Sequence, residues 1–208
     1  MTDTLERINA YFSERIRRHG AVPAGVDWNG DEAQIRRFDV LCRMIRLEGG
    51  FSVNDLGCGY GKMAEYLADR YPGCRYYGYD ISEDMVRAAL EQHEGRDHVS
   101  FVRIDSPSEM RVSDYTVASG VFNVRLDRSD EAWTEVILHT LDEMNKRSRL
   151  GFAFNMLTSY SDQEYMKSYL YYGDPCYFFD FCKKNYSRNV ALLHDYDLYD
   201  FTIHVHRS

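Results

Sequence analysis

Near the start of the chain, apolar residues recur at intervals of three and four. Leu5, Ile8, Phe12 and Ile16 share one stripe, which predicts an amphipathic helix over Thr4–Arg18 that Gly20 ends. A loop with Pro23, Gly25 and Gly30 follows. A second helix is expected from Asp31, with Gln34 three residues on in a capping-box arrangement. Its stripe is Ile35, Phe38, Leu41, Cys42 and Ile45, and Gly49–Gly50 should stop it. From Phe51 the rhythm changes to short apolar runs alternating with amphipathic segments, the pattern of βα units and a mostly parallel sheet. Strands are expected at Phe51–Leu56, Tyr76–Tyr79, Val99–Ile104, Tyr115–Ser119, Gly151–Met156, Val190–Leu193 and Phe201–His206. Helices are expected at Gly61–Arg70, Ser82–Gln92 and Asp130–Lys146, with two shorter ones within Ser161–Asn185. Only His194 to Asp200 separates the last two strands, too little for a crossover helix, so they should pair as an antiparallel hairpin. No repeat or linker divides the pattern. The expectation is one domain over 1–208: a helical flank to residue 50, then the sheet unit with an aromatic-rich insertion at 160–187.

Charge narrows the partners. With 25 basic and 33 acidic residues in 208, the net charge is −8, and no lysine/arginine cluster reverses that sign locally. Such a surface repels phosphate backbones, so a small molecule is the expected partner rather than nucleic acid. The first ten residues contain no apolar targeting core, and no run approaches the ~18 apolar residues of a membrane span. The five cysteines are odd in number and form no C-x-x-C pair, which argues against a disulfide framework or a metal site and for free thiols in the cytoplasm.

The chemistry concentrates in Asp55-Leu56-Gly57-Cys58-Gly59-Tyr60-Gly61. Three alternate glycines directly after a strand and before a helix allow a sharp turn and close approach of a ligand to the backbone. The dinucleotide fingerprint would want its third glycine at Lys62, and a carboxylate at Asp55 would repel a diphosphate but suit an ammonium group. About twenty residues on, Asp80 ends the second strand, where it can accept both ribose hydroxyls, with Ile81 beside it to pack on a base. Asp105-Ser106 ends the third strand, placed to accept a hydrogen bond from an exocyclic amine. Taken singly, each residue also has a plain reading as a turn former or helix cap.

Together these residues resemble the first three motifs of the class I S-adenosylmethionine-dependent methyltransferases. Asp55, Gly57, Gly59 and Gly61 match the acid-x-G-x-G-x-G motif, while Asp80 and Asp105 match the second- and third-strand acids. The resemblance implies a Rossmann-like α/β three-layer sandwich with a seven-stranded sheet ordered 3-2-1-4-5-7-6. It implies S-adenosyl-L-methionine as cofactor, with Gly57 to Gly61 along the methionine, Asp80 at the ribose and Asp105 at the adenine amine. A second resemblance, to a bacterial subgroup, covers Val26-Asp27-Trp28 and Gln34-x-x-Arg37-Phe38. It implies Arg37 near the cofactor carboxylate, with adjacent Arg36 as its rival, and Trp28 either over the cofactor or stapling the loop to the second helix. Two competitors stay open: a nicotinamide-dependent oxidoreductase, and a module that binds the methyl donor without catalysis.

Methyl transfer from a sulfonium requires alignment and exclusion of water, and a base only where the acceptor must first lose a proton. The acceptor is expected above the fourth and fifth strands, where Asn123, Asn155 and Tyr160 could orient a polar one and Phe122 could wall the methyl, with Tyr11 of the flank as a further candidate substrate contact. Tyr160 and His194 are the candidates for proton transfer. Nine tyrosines between Tyr160 and Tyr199 could form a lid over the acceptor, or simply pack. His139 is expected to be a helix-surface or packing residue, and His204 and His206, sharing a strand face with Thr202, are expected to be solvated.

Overall fold

The computed structural model describes residues 2–22, 25, 30–46 and 50–207. Helices α1 (Thr2–His19) and α2 (Asp31–Cys42) precede β1 (Ser52–Leu56), α3 (Lys62–Arg70), β2 (Arg75–Asp80), α4 (Glu83–Gln92) and β3 (Val99–Arg103). Then come β4 (Ser113–Ala118), α5 (Asp130–Lys146), β5 (Ser148–Leu157), α6 (Pro175–Asn185), β6 (Asn189–Leu193) and β7 (Asp200–His206). The seven strands form one sheet ordered β3-β2-β1-β4-β5-β7-β6. The first five are parallel, and β7 runs antiparallel between β5 and β6. Both the strand order and the final hairpin agree with the sequence reading.

Alternation along the strands builds two apolar layers. Phe152 and Phe154 of β5 pack with Trp133, Ile137 and Leu141 of α5 and Phe178 of α6. Ala153, pointing the other way, joins Phe38 and Leu41 of α2, Met63 and Leu67 of α3, and Val86 of α4. Helix starts follow local chemistry. Ser82 and Ser129 cap α4 and α5, and Asp174 caps α6 by accepting from Cys176 and Tyr177 N–H, with Pro175 at the first helical position.

Four expectations are corrected. Helix α2 ends at Cys42, short of the glycine pair. Gln34 forms no capping box, because its side chain turns inward and its Oε1 accepts from the Tyr60 hydroxyl at 3.2 Å, leaving Gly30 at the cap without a side-chain bond. His204 is buried rather than solvated, since α2 covers that face of β7: its Nε2 lies 2.9 Å from the Val40 carbonyl, and burial pushes its pKa down to about 4. Of the two short helices expected within Ser161–Asn185, α6 forms fully and the other is a single 3-10 turn at Gln163–Tyr165.

Helix α1 is fastened at both ends. Arg7 pairs with Asp127 at 2.7 Å, Arg17 with Asp84 at 2.6 Å, and between them the Ser13 and Ser82 hydroxyls meet at 2.9 Å. Among the described residues no helix is long and apolar enough to cross a membrane, and no group of three His, Cys, Asp or Glu could hold a metal ion.

Candidate functional site

A cleft of about 220 Å³ opens at the carboxyl ends of β1, β2, β3 and β4, bordered by α1, α2 and α5. Its floor is the turn after β1. Gly57, Gly59 and Gly61 have φ of 74°, 53° and 85°, conformations that side chains disfavour. Space adds a second restriction. A Cβ on Gly57 would stand 2.4 Å from Val121, and one on Gly61 2.7 Å from the Phe101 ring. Four of the five amides of Gly57–Gly61 are already engaged within the protein: Gly57 and Cys58 N–H donate to the Tyr79 carbonyl at 2.7 and 3.0 Å, Gly59 N–H to Asp80 Oδ2 at 2.9 Å, and Gly61 N–H to the Cys58 carbonyl at 3.0 Å. A phosphate-binding turn needs such donors free. Gly57 and Gly59 line the cleft, whereas Gly61 does not and serves to start α3.

Three carboxylates rim the cleft. Asp55 is buried and accepts the Tyr76 hydroxyl at 2.5 Å. Burial pushes its pKa up to about 7, with the Tyr76 hydrogen bond opposing and the Asp80 charge adding. Asp80 bridges the turn to the next helix, since its second oxygen accepts Ser82 N–H at 2.9 Å. Burial raises its pKa while the Ser82 and Gly59 amides lower it. Asp105 is 71 % exposed and carries a two-point ion pair with Arg103. Ile81 and Ser106 also line the cleft, and the Ser106 hydroxyl caps the 3-10 turn at Pro107–Glu109.

The other expected residues divide. Phe122 is buried and lines the cleft, its ring edge-on to Phe154 and its carbonyl accepting the Trp133 indole N–H at 2.8 Å. Asn155 stands behind the wall, where its Oδ1 accepts Gly120 N–H at 2.7 Å and so ties the cleft-lining Ser119-Gly120 segment to β5. Asn123 faces away from the cleft and accepts Leu157 N–H at 3.1 Å. Tyr11 is half-buried outside the cleft lining, 5.2 Å from Phe12 and 6.4 Å from Tyr169 between ring centres.

Arg37 is not at the cleft. It is buried and paired at 2.5 Å with Asp200, which β7 brings to it from the far end of the chain. Its rival Arg36 reaches the Tyr196 carbonyl and Asp197 on the surface. Trp28, with Val26 and Asp27, lies outside the described residues. Tyr160 and His194 are neighbours, 6.0 Å between ring centres, but both are exposed beyond the cleft lining. None of the nine tyrosines from Tyr160 to Tyr199 lines the cleft. Instead their hydroxyls bond locally, Tyr171 to Thr134, Tyr186 to Asp142 and Tyr196 to Thr202.

The sequence reading missed most of the upper wall. Ile8 and Phe12 of α1, Phe38 of α2, and Trp133 and Val136 of α5 line it, and their helical spacing is that of core residues. His139, expected on the surface of α5 or packed against it, is exposed and lines the cleft, a place the sequence reading did not give it. Lys62, paired with Glu65 at 2.8 Å, is the only lysine or arginine among the described cleft-lining residues.

Comparison with known proteins matches this arrangement. Residues 54–143, from β1 to late α5, match the model of a methyltransferase domain. The chain is 52 % identical over 169 residues to Rv1506c of Mycobacterium tuberculosis, named as a methyltransferase, covering 80 % of this chain and 99 % of that one. A shorter match, 35 % over 69 residues, covers 33 % of this chain and 18 % of the cyclopropane-fatty-acyl-phospholipid synthase of Escherichia coli K12. The fold is that of the magnesium protoporphyrin IX methyltransferase of Synechocystis PCC 6803 with bound S-adenosylmethionine, at TM-score 0.69 and 18 % identity, covering 100 % of this chain and 99 % of that one. With the glycine turn, the acids and the 3-2-1-4-5-7-6 sheet in place, the chain belongs to the class I S-adenosylmethionine-dependent methyltransferases, enzymes whose cofactor is S-adenosyl-L-methionine.

Proposed function

We propose that this enzyme methylates a small acceptor with an apolar body, and that it does so by positioning. The observation that carries the reading is the cleft's polarity: a turn with four of its five amides already engaged and three carboxylates, Asp55, Asp80 and Asp105, around it. That site disfavours a diphosphate and suits a ligand carrying an ammonium and a sulfonium. Bound S-adenosylmethionine supplies an electrophilic methyl group. Asp55 would face its ammonium, Asp80 its ribose hydroxyls and Asp105 the adenine amine, with Ile81 against the base. Lys62 takes the place expected for Arg37 as the cation for the cofactor carboxylate, since Arg37 is committed to Asp200.

Ile8, Phe12, Phe122, Trp133 and Val136 form an apolar wall opposite these acids, which excludes water and favours a hydrophobic acceptor. The exposed Tyr160–His194 pair stands away from that wall, so an acceptor that is not already a competent nucleophile gives its proton to water or to His139, the histidine on the cleft lining. Oxygen, nitrogen and carbon acceptors all fit this chemistry. The test is calorimetric titration with S-adenosylmethionine and with NAD, followed by release of S-adenosylhomocysteine across a panel of apolar and sugar-like acceptors. Binding of the methyl donor and turnover of apolar acceptors is expected. Preference for NAD would overturn the cofactor assignment, and turnover confined to sugars would overturn the acceptor class.

A further inference from the structure

His93 closes α4 and stands against the glycine turn without lining the cleft. It is 5 % exposed, and its Nε2 lies 3.1 Å from the Gly61 carbonyl, which also accepts Ala64 N–H at 3.0 Å. A carbonyl only accepts, so the proton sits on Nε2 and Nδ1 presents a bare lone pair. That Nδ1 is buried with no partner. A leucine of similar size would fill the space without this desolvation cost, so the value of histidine here lies at Nε2. Space points the same way. The Phe101 ring, 5.2 Å from the imidazole, and Nε2 itself occupy the volume a Cβ on Gly61 would need, Nε2 at 2.9 Å. Burial, with Arg96 adding, lowers the imidazole's pKa, while Glu65 of α3 opposes and Lys62 adds to the fall, which keeps the ring neutral.

We propose that His93 is a positioning residue for the methyl donor: its Nε2–H holds the Gly61 peptide, and thereby the path of Gly57–Gly61, from behind the cofactor site. The inference rests on the reading that this turn borders the cofactor. His93→Leu removes the donor, whereas the side-chain amide of His93→Gln reaches the same carbonyl. Calorimetry well below each variant's melting temperature is expected to show the S-adenosylmethionine Kd rising roughly three- to tenfold in His93→Leu and returning near the parent value in His93→Gln. Lowered melting temperatures with unchanged Kd in both variants would make the residue merely structural and overturn the proposal. Asp80→Ala serves as the control. If it alone weakens binding, His93 has no such role while the site assignment stands; if neither variant weakens binding, the site assignment fails as well. Where His93→Leu does not fold, nitrogen-15 spectra of the parent protein decide. A neutral ring protonated at Nε2, whose resonance moves on titration with S-adenosylmethionine, is expected, and a ring protonated at Nδ1 refutes the hydrogen bond.

Discussion

Asp55→Asn separates what this carboxyl does for the fold from what it does for the ligand. Burial pushes the carboxyl to about 7 in the folded chain, against about 3.9 unfolded, a difference of about 3 units. A raised folded pKa means that the native state holds the proton more tightly. The stability it confers is therefore complete below the unfolded value and is lost as pH rises through the folded one. At about 1.36 kcal/mol per unit, roughly 4 kcal/mol drains away between pH ~4 and ~7. Asparagine keeps an oxygen for the Tyr76 hydroxyl, now 2.5 Å from Asp55 Oδ2, and has nothing to ionise. Urea unfolding of the ligand-free proteins at steps across that window should show the parent losing stability relative to Asp55→Asn as pH rises. The same variant should bind S-adenosylmethionine more weakly at pH 8, having lost the charge opposite the ammonium. Stability curves that run parallel for the two proteins would refute the argument, because they would mean Asp55 titrates alike folded and unfolded.

Asp80→Ala should weaken S-adenosylmethionine binding by about 1–3 kcal/mol through lost charged hydrogen bonds, read by calorimetry. Part of that loss comes through the Gly59 amide that Asp80 now holds. Arg37→Met strands the carboxylate of buried Asp200 and should destabilise the fold by about 3–5 kcal/mol in denaturant titrations, while cofactor affinity in the folded fraction stays unchanged. A selective loss of affinity would instead return Arg37 to the cofactor. Asn155→Leu frees the Gly120 amide and should lower turnover with little change in cofactor affinity, measured by steady-state kinetics once an acceptor is found.

The fold was readable because its signals are local. Each βα unit carries its own apolar run and amphipathic stripe, and the short His194–Asp200 connection alone requires β6 and β7 to pair antiparallel. That the glycine turn and the acids after β2 and β3 share one cleft was readable for the same reason, being written in one turn and two strand ends. What escaped depends on contacts between distant residues. Arg37 looks like a ligand-binding cation until β7 sets Asp200 against it, and His204 looks solvated until α2 lays the Val40 carbonyl over it. Asn155 resembles an acceptor contact but acts on the neighbouring loop. Ile8, Phe12, Trp133 and Val136 have the spacing of any buried stripe, and only the packing of α1 and α5 around the strand ends turns them into a wall. The tyrosine-rich segment misled through composition: the hydroxyls of Tyr171, Tyr186 and Tyr196 found partners within the fold, and none of its tyrosines lines the cleft.

The position of β7 between β5 and β6 has a consequence for how the chain is made. As residues leave the ribosome in order, β6 emerges before the only strand it pairs with, and β5 waits with one edge bare. Spatial completion therefore lags behind translation until residue 206 is out. A nascent chain arrested before Asp200 should expose two strand edges and be far more prone to aggregate than one with His206 clear of the ribosome.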